Sequence, residues 1–171
     1  MVLASFLLYS CSLAIEQDGF ARTLELPDLQ LVNATYTLDR GTESPLFLTA
    51  AQIEIYDLSN RAVLKDVQFY QEGPDNTIDL MGRAEKVEVD TQSYDATLIG
   101  SIRIEKPSEQ LVIEAQHLTY IHDLMIFNSV ADSPITLIFE GNKRVTGIAL
   151  VADLASATFT FAQIEEGVLE L

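Results

Sequence analysis

Apolar residues alternate with polar ones along most of this chain, and in three places the alternation changes phase in the same way. Leu46, Leu48 and Ala50 are followed, after a slip, by Ile53 and Ile55. Ile78 and Leu80 lead through Gly82-Arg83-Ala84 to Val87 and Val89, and Leu111, Ile113 and Ala115 lead to Leu118 and Tyr120. Alternation with period two predicts strands with one buried face. A change of parity needs one extra residue, a bulge or a corner, if that face is to stay inside. The copies start at 46, 78 and 111, steps of 32 and 33 residues. Such a period predicts a stacked array whose units bury their apolar faces against one another. The alternative is an ordinary sandwich with evenly spaced strands. Ile148 and Leu150, followed by Ala155, Ala157, Phe159 and Phe161, make a looser fourth copy.

Turn-forming clusters punctuate the pattern at residues 57–61, 72–76, 90–93, 107–108, 122–123, 132–134, 141–142, 153–156 and 165–167. Strands of six to twelve residues fit between them, and no stretch of three turns carries a 3.6-residue period. Short strands between frequent turns predict an all-β fold made of hairpins. Residues 24–38 read as one or two strands broken at Pro27. Residues 167–171 read as a final edge strand, whose Val168, Leu169 and Leu171 are free to pair with another chain.

The first 15 residues carry no charge. That run is short for a membrane span, which needs roughly 20 apolar residues, and suits the apolar core of a signal peptide. Leu8-Tyr9-Ser10-Cys11 resembles a bacterial lipobox, although Tyr9 is bulky for its position and no Lys or Arg precedes the run. Three readings stay open: a lipoprotein acylated on Cys11, an uncleaved membrane anchor, and a plain secretory signal. Cys11 is the only cysteine, so no internal disulfide can form. The expected organisation is an anchor or lipobox over 1–11, a tether over 12–23 and a β domain over 24–171.

Composition narrows the function. The net charge of −16 leaves no basic face for nucleic acid, and argues against adsorption to an anionic membrane by charge alone. There is no Trp, and aromatic residues are only 8%, so the apolar face is expected to be slim, aliphatic and without an aromatic plug. His117 and His122 stand five apart around a strand and turn, a poor metal pair. No phosphate loop, nucleophile elbow or Cys-His arrangement occurs, so neither an enzyme nor a cofactor is expected.

Two of the repeats, Leu46-Phe47-Leu48-Thr49-Ala50-Ala51-Gln52-Ile53-Glu54-Ile55 and Leu111-Val112-Ile113-Glu114-Ala115-Gln116-His117-Leu118-Thr119-Tyr120, share one form. Each is apolar-x-apolar-(T/E)-A-x-x-apolar-x-apolar, and a further strand follows, as at residues 62–67 and 96–102. With an apolar N-terminal segment ahead of them, they resemble the LptC family, the periplasmic bridge of lipopolysaccharide export, and more distantly LptA. The resemblance spans roughly residues 30–171, and a lipobox would depart from that family's usual transmembrane anchor. It implies a periplasmic domain anchored to the inner membrane, folded as an open, twisted antiparallel jelly roll with two splayed sheets. It also implies that lipopolysaccharide or a related glycolipid is held by its acyl chains. The N-terminal edge would join an LptF/LptG-type transporter and the C-terminal edge an LptA-like protein. On this reading Ile53, Ile55, Leu64, Val87, Val89, Leu98, Leu118 and Tyr120 line the groove, with Phe159 and Phe161 near its exit. The alternative is a structural β-repeat lipoprotein that docks partners through its edges and carries no lipid.

Overall fold

The computed structural model describes residues 25–38, 44–73, 75–130, 132–139, 143–156 and 158–168. The expected anchor and tether (1–23), Cys11, Leu169 and Leu171 lie outside the described residues. The strands are β1 (Leu29–Leu38), β2 (Leu46–Tyr56), β3 (Arg61–Glu72), β4 (Ile78–Asp90), β5 (Ala96–Lys106), β6 (Leu111–Ile121), β7 (Ile126–Ser129), β8 (Ile135–Phe139), β9 (Lys143–Asp153) and β10 (Thr158–Val168). The only helical pieces among the described residues are single 3₁₀ turns at Pro107–Glu109 and His122–Leu124. All strand pairs are antiparallel, and the ten strands form one continuous sheet. The fold is all-β and jelly-roll-like, its two leaves being halves of the same long strands rather than separate sheets.

The parity slips explain how one sheet makes two leaves. In β2, β4 and β6 the inward positions change phase after Ala50, Ala84 and Ala115, all three buried. Their odd-numbered neighbours slip at the same level. Asn33 in β1, Asp66 in β3, Ser101 beside Gly100 in β5, and Ala149 in β9 take positive φ there. Regular pairing is interrupted around Ala50 and Ala51 in β2, and shifts by a residue between β4 and β5 and between β5 and β6. Between β6 and β9 the strand breaks altogether into β7 and β8, with Pro134 in the gap, and the Ser129 hydroxyl accepts from the Leu150 N–H at 2.8 Å. A crease therefore runs across the sheet, and each extra residue keeps one face inside as the strand turns a corner. Small alanines on the inner side let the leaves converge. At the far end the leaves meet directly, where Phe139 of β8 and Phe159 of β10 pack edge to face at 6.2 Å.

Three sequence expectations change. The fourth copy is not one strand: Ile148 and Leu150 belong to β9, while Phe159 and Phe161 belong to β10 across a turn. Gly147, not Ile148, is the buried residue at that slip, and a Cβ there would come within 2.7 Å of the Phe161 ring. Residues 165–167 form no turn: β10 absorbs them with a bulge between Ile164 and Glu166 and runs to Val168, so no separate final strand starts at 167.

The turns are closed by acids. Asp90 Oδ1 accepts from the Gln92 and Ser93 N–H groups, and Asp153 Oδ1 accepts from those of Ala155 and Ser156. The bonds from Ser93 and Gln92 hold the Asp90 carboxyl below the usual carboxylate range, and those from Ser156 and Ala155 do the same for Asp153.

Two outcomes follow for stability. A β-branched side chain is costly at positive φ, so Asp66→Val should lose roughly 1–2 kcal/mol in urea unfolding, whereas Ala149→Gly should gain up to about 1 kcal/mol. A depressed carboxyl pKa adds stability above the unfolded value of about 3.9, which is lost as pH falls through the folded value. Thermal midpoints measured from pH 7 down to pH 2 should fall less steeply in an Asp90→Asn/Asp153→Asn double variant than in the wild type.

Candidate functional site: an apolar trough between the leaves

The interior is packed unequally. Across β6, β8 and β9, Ile113, Leu118, Ile135, Leu137 and Leu150 are sealed, with Leu118 and Ile135 0% exposed. Toward β2–β5 the leaves stand apart and enclose a half-open cavity of about 440 Å³. One wall comes from strand halves on one side of the crease: Leu46 and Leu48 of β2, Phe69 of β3 and Leu80 of β4, with Leu38 of β1 beside them. The other comes from Leu64, Val87, Val89, Ala96, Leu98, Tyr120 and Phe127, while Val67 lies near the crease. The volume falls within the roughly 300–1,000 Å³ of small-molecule sites.

Among the described residues no polar or charged side chain is buried, so polar groups meet the cavity only along its rim. They are Ser44, Gln71, Asp79 and Lys106 at one end, and Tyr94 and His122 at the other. Lys106 is paired with Glu109, and Asp79 accepts from the Ser108 hydroxyl at 3.2 Å. His122 is braced edge-on by Tyr94 at 5.6 Å and Tyr120 at 6.2 Å. Apolar walls with a polar rim favour a hydrocarbon chain that keeps its polar end outside. No cluster among the described residues could hold a metal ion.

Of the sequence-derived lining residues, Leu64, Val87, Val89, Leu98 and Tyr120 do face the cavity. Ile53 and Leu118 lie in the packed core, and Ile55, Phe159 and Phe161 pack against that core from outside the cavity wall. Val168 is exposed at the end of β10. The wall is less purely aliphatic than composition suggests: Phe69, Tyr94 and Phe127 contribute beside the expected Tyr120. Leu46, Leu48 and Leu80 were visible in the same repeats that supplied Val87. Their alternation marks the inner face without marking which part of it stays uncovered. Tyr94 and His122 sit in turns, where alternation carries no signal.

A second recess, about 670 Å³, lies on the outer face of β1–β5, between the stacked rings of Phe47 and Tyr70 (5.0 Å) and the pair Arg83 and Arg103. Glu105 and Glu114 bind Arg103 and raise its pKa, so this recess is largely self-neutralised. Among the described residues no helix is long and apolar enough to cross a membrane. No protein-family model matches the chain, and no curated protein matches it.

Enlarging a residue separates void from packing. Ala96→Phe should fill the cavity, reduce uptake of a fluorescent fatty-acid analogue several-fold and leave stability nearly unchanged. Ala152→Phe, at a 0% exposed position, should cost about 1–3 kcal/mol in denaturant unfolding.

Proposed function

We propose that the protein is a non-enzymatic carrier that holds acyl chains in the trough and passes them on. In this reading it is a periplasmic bridge of lipopolysaccharide-type glycolipid export, as in the LptC family. It would receive lipid from an LptF/LptG-type inner-membrane transporter and hand it to an LptA-like protein. One observation carries the reading: a half-open apolar cavity between two leaves of a single sheet, walled by residues from β1 to β7. Burial of aliphatic carbon contributes about 0.8 kcal/mol per methylene, so even partial burial of one chain gives useful affinity. A half-open trough keeps that burial partial, which a carrier needs in order to release its cargo.

Two free edges favour the bridging part of the reading. Among the described residues β1 pairs only with β2, and β10 only with β9. The ten residues of β1, Leu-Gln-Leu-Val-Asn-Ala-Thr-Tyr-Thr-Leu, contain no charge, Pro or Gly, so within the strand only the slip at Asn33 interrupts that edge against strand addition. β10 carries Glu165 and Glu166 but is otherwise open. The same edges also support the second reading, a structural module that docks partners and carries no lipid.

Site-specific photo-crosslinking in cells exporting glycolipid separates the two. Labels at Leu48, Val87 and Tyr120 should capture glycolipid, and labels at the outward Lys65 and Gln116 should not. Capture only at the outward positions, or none at all while edge-to-edge crosslinks to a partner persist, would leave the edge-docking module as the better account.

A further inference from the structure

The hairpin turns at 57–60, 91–95, 122–125 and 154–156 lie at one end of the sheet. They are stitched side to side rather than waving freely. The Asp57 N–H donates to Asp28 Oδ2 at 2.8 Å, and the Thr91 N–H to the Asn60 carbonyl at 2.8 Å. The His122 N–H donates to Asp95 Oδ1 at 2.9 Å, and the Leu154 N–H to the Met125 carbonyl at 3.1 Å. This stiff rim carries apolar side chains pointing into solvent. Leu58 is 95% exposed, Leu26 81% and Leu124 58%, with Met125 and Tyr94 beside them.

The form of this surface selects its partner. A protein interface needs a continuous, closely packed apolar centre. Here single side chains, Leu58 and Leu124 among them, project from separate turns of the rim. A fluid hydrocarbon layer accepts such side chains one at a time, and Tyr suits the headgroup level. Asp57, Asp90, Asp95, Asp123 and Asp153 stand at the same turns, so the layer must be uncharged or zwitterionic. Two further facts orient the rim. Leu29 pairs with Ile55, so the chain enters β1 at this end, and the uncharged residues 1–15 precede it by a short connection. Tyr94, Met125 and Leu154 belong to both the rim and the trough.

We propose that this rim is a membrane-docking face, with Leu58, Leu124 and Met125 entering the acyl layer of a zwitterionic bilayer so that the trough opens against lipid. The purpose of the docking, though not the docking itself, rests on the acyl-carrier reading.

The chain has no Trp, so a single introduced Trp reports its own surroundings. Full-length Leu58→Trp, Leu124→Trp and, at the opposite end, Asp75→Trp would be reconstituted with phosphatidylcholine vesicles brominated in mid-chain. The two rim variants should shift to the blue and lose most of their emission, and Asp75→Trp should do neither. Replacing part of the phosphatidylcholine with phosphatidylglycerol should weaken the quenching. Rim emission indistinguishable from that of Asp75→Trp, or quenching that grows with anionic lipid, overturns the proposal. Uptake of a fluorescent fatty-acid analogue by the wild type without vesicles tests the carrier reading separately. Uptake without rim quenching overturns the docking alone. Rim quenching without uptake supports the docking and overturns the carrier.

Discussion

A strand that must keep one face buried while it turns a corner has to gain a residue at the corner, and the whole architecture depends on this constraint. Here the extra residues fall at one level in strand after strand, so the corners align into a crease. Asn33, Asp66, Ser101 and Ala149 accommodate it with positive φ in β1, β3, β5 and β9, and buried Ala50, Ala84 and Ala115 clear space on the inner side. Without the crease the strands would form one flat sheet with an apolar face on water. With it, the sheet covers itself, and the interior is whatever its two halves enclose.

How much they enclose varies along the sheet. Near β8 and β10 the facing residues are large enough to touch, as Phe139 and Phe159 do, and the interior there is sealed. Near β2–β4 the inner residues are Leu46, Leu48, Leu64, Val87 and Val89, which leave space between the leaves. Glycine widens one position further. At Gly82 a Cβ would come within 2.5 Å of the Phe69 ring, so the tip of that ring occupies the space a side chain would take. Apolar walls give water few partners, so such a void has a standing preference for hydrocarbon.

The crease was legible in sequence because parity is a local property. Leu46 to Ile55 announces it without any knowledge of what lies opposite, and Ala50 and Ile53, of opposite parity, are both buried in β2. The copy at Ile148 to Phe161 misled for the same reason. A hairpin turn changes parity as a bulge does, and only the pairing of Phe159 with Ala152 tells them apart. Depth was not legible. Leu118 and Tyr120 share a face two residues apart, yet the first is sealed and the second lines the cavity, because coverage is set by the opposite leaf. The segment at Glu165-Glu166-Gly167 has turn composition, but on an edge strand one bulge satisfies it while pairing with β9 continues.

The acidic balance reads differently once the fold is known. Many acids that look like solvated charge in the sequence are turn formers, since Asp28, Asp90, Asp95 and Asp153 each accept backbone N–H bonds at the same end of the sheet. Others sit on the outer face as partners for the few cations, as Glu54 does for Lys65, Glu88 for Lys86, and Glu105 and Glu114 for Arg103. None is buried in the interior. Charge and hydrocarbon are thereby sorted by the crease: among the described residues the charged side chains lie on the outer face, at the turns or on the rim of the trough, and none is buried. A sheet sorted this way resists collapse onto copies of itself through its outer face. Its uncharged β1 edge and its apolar trough are then the places where attraction can outweigh repulsion.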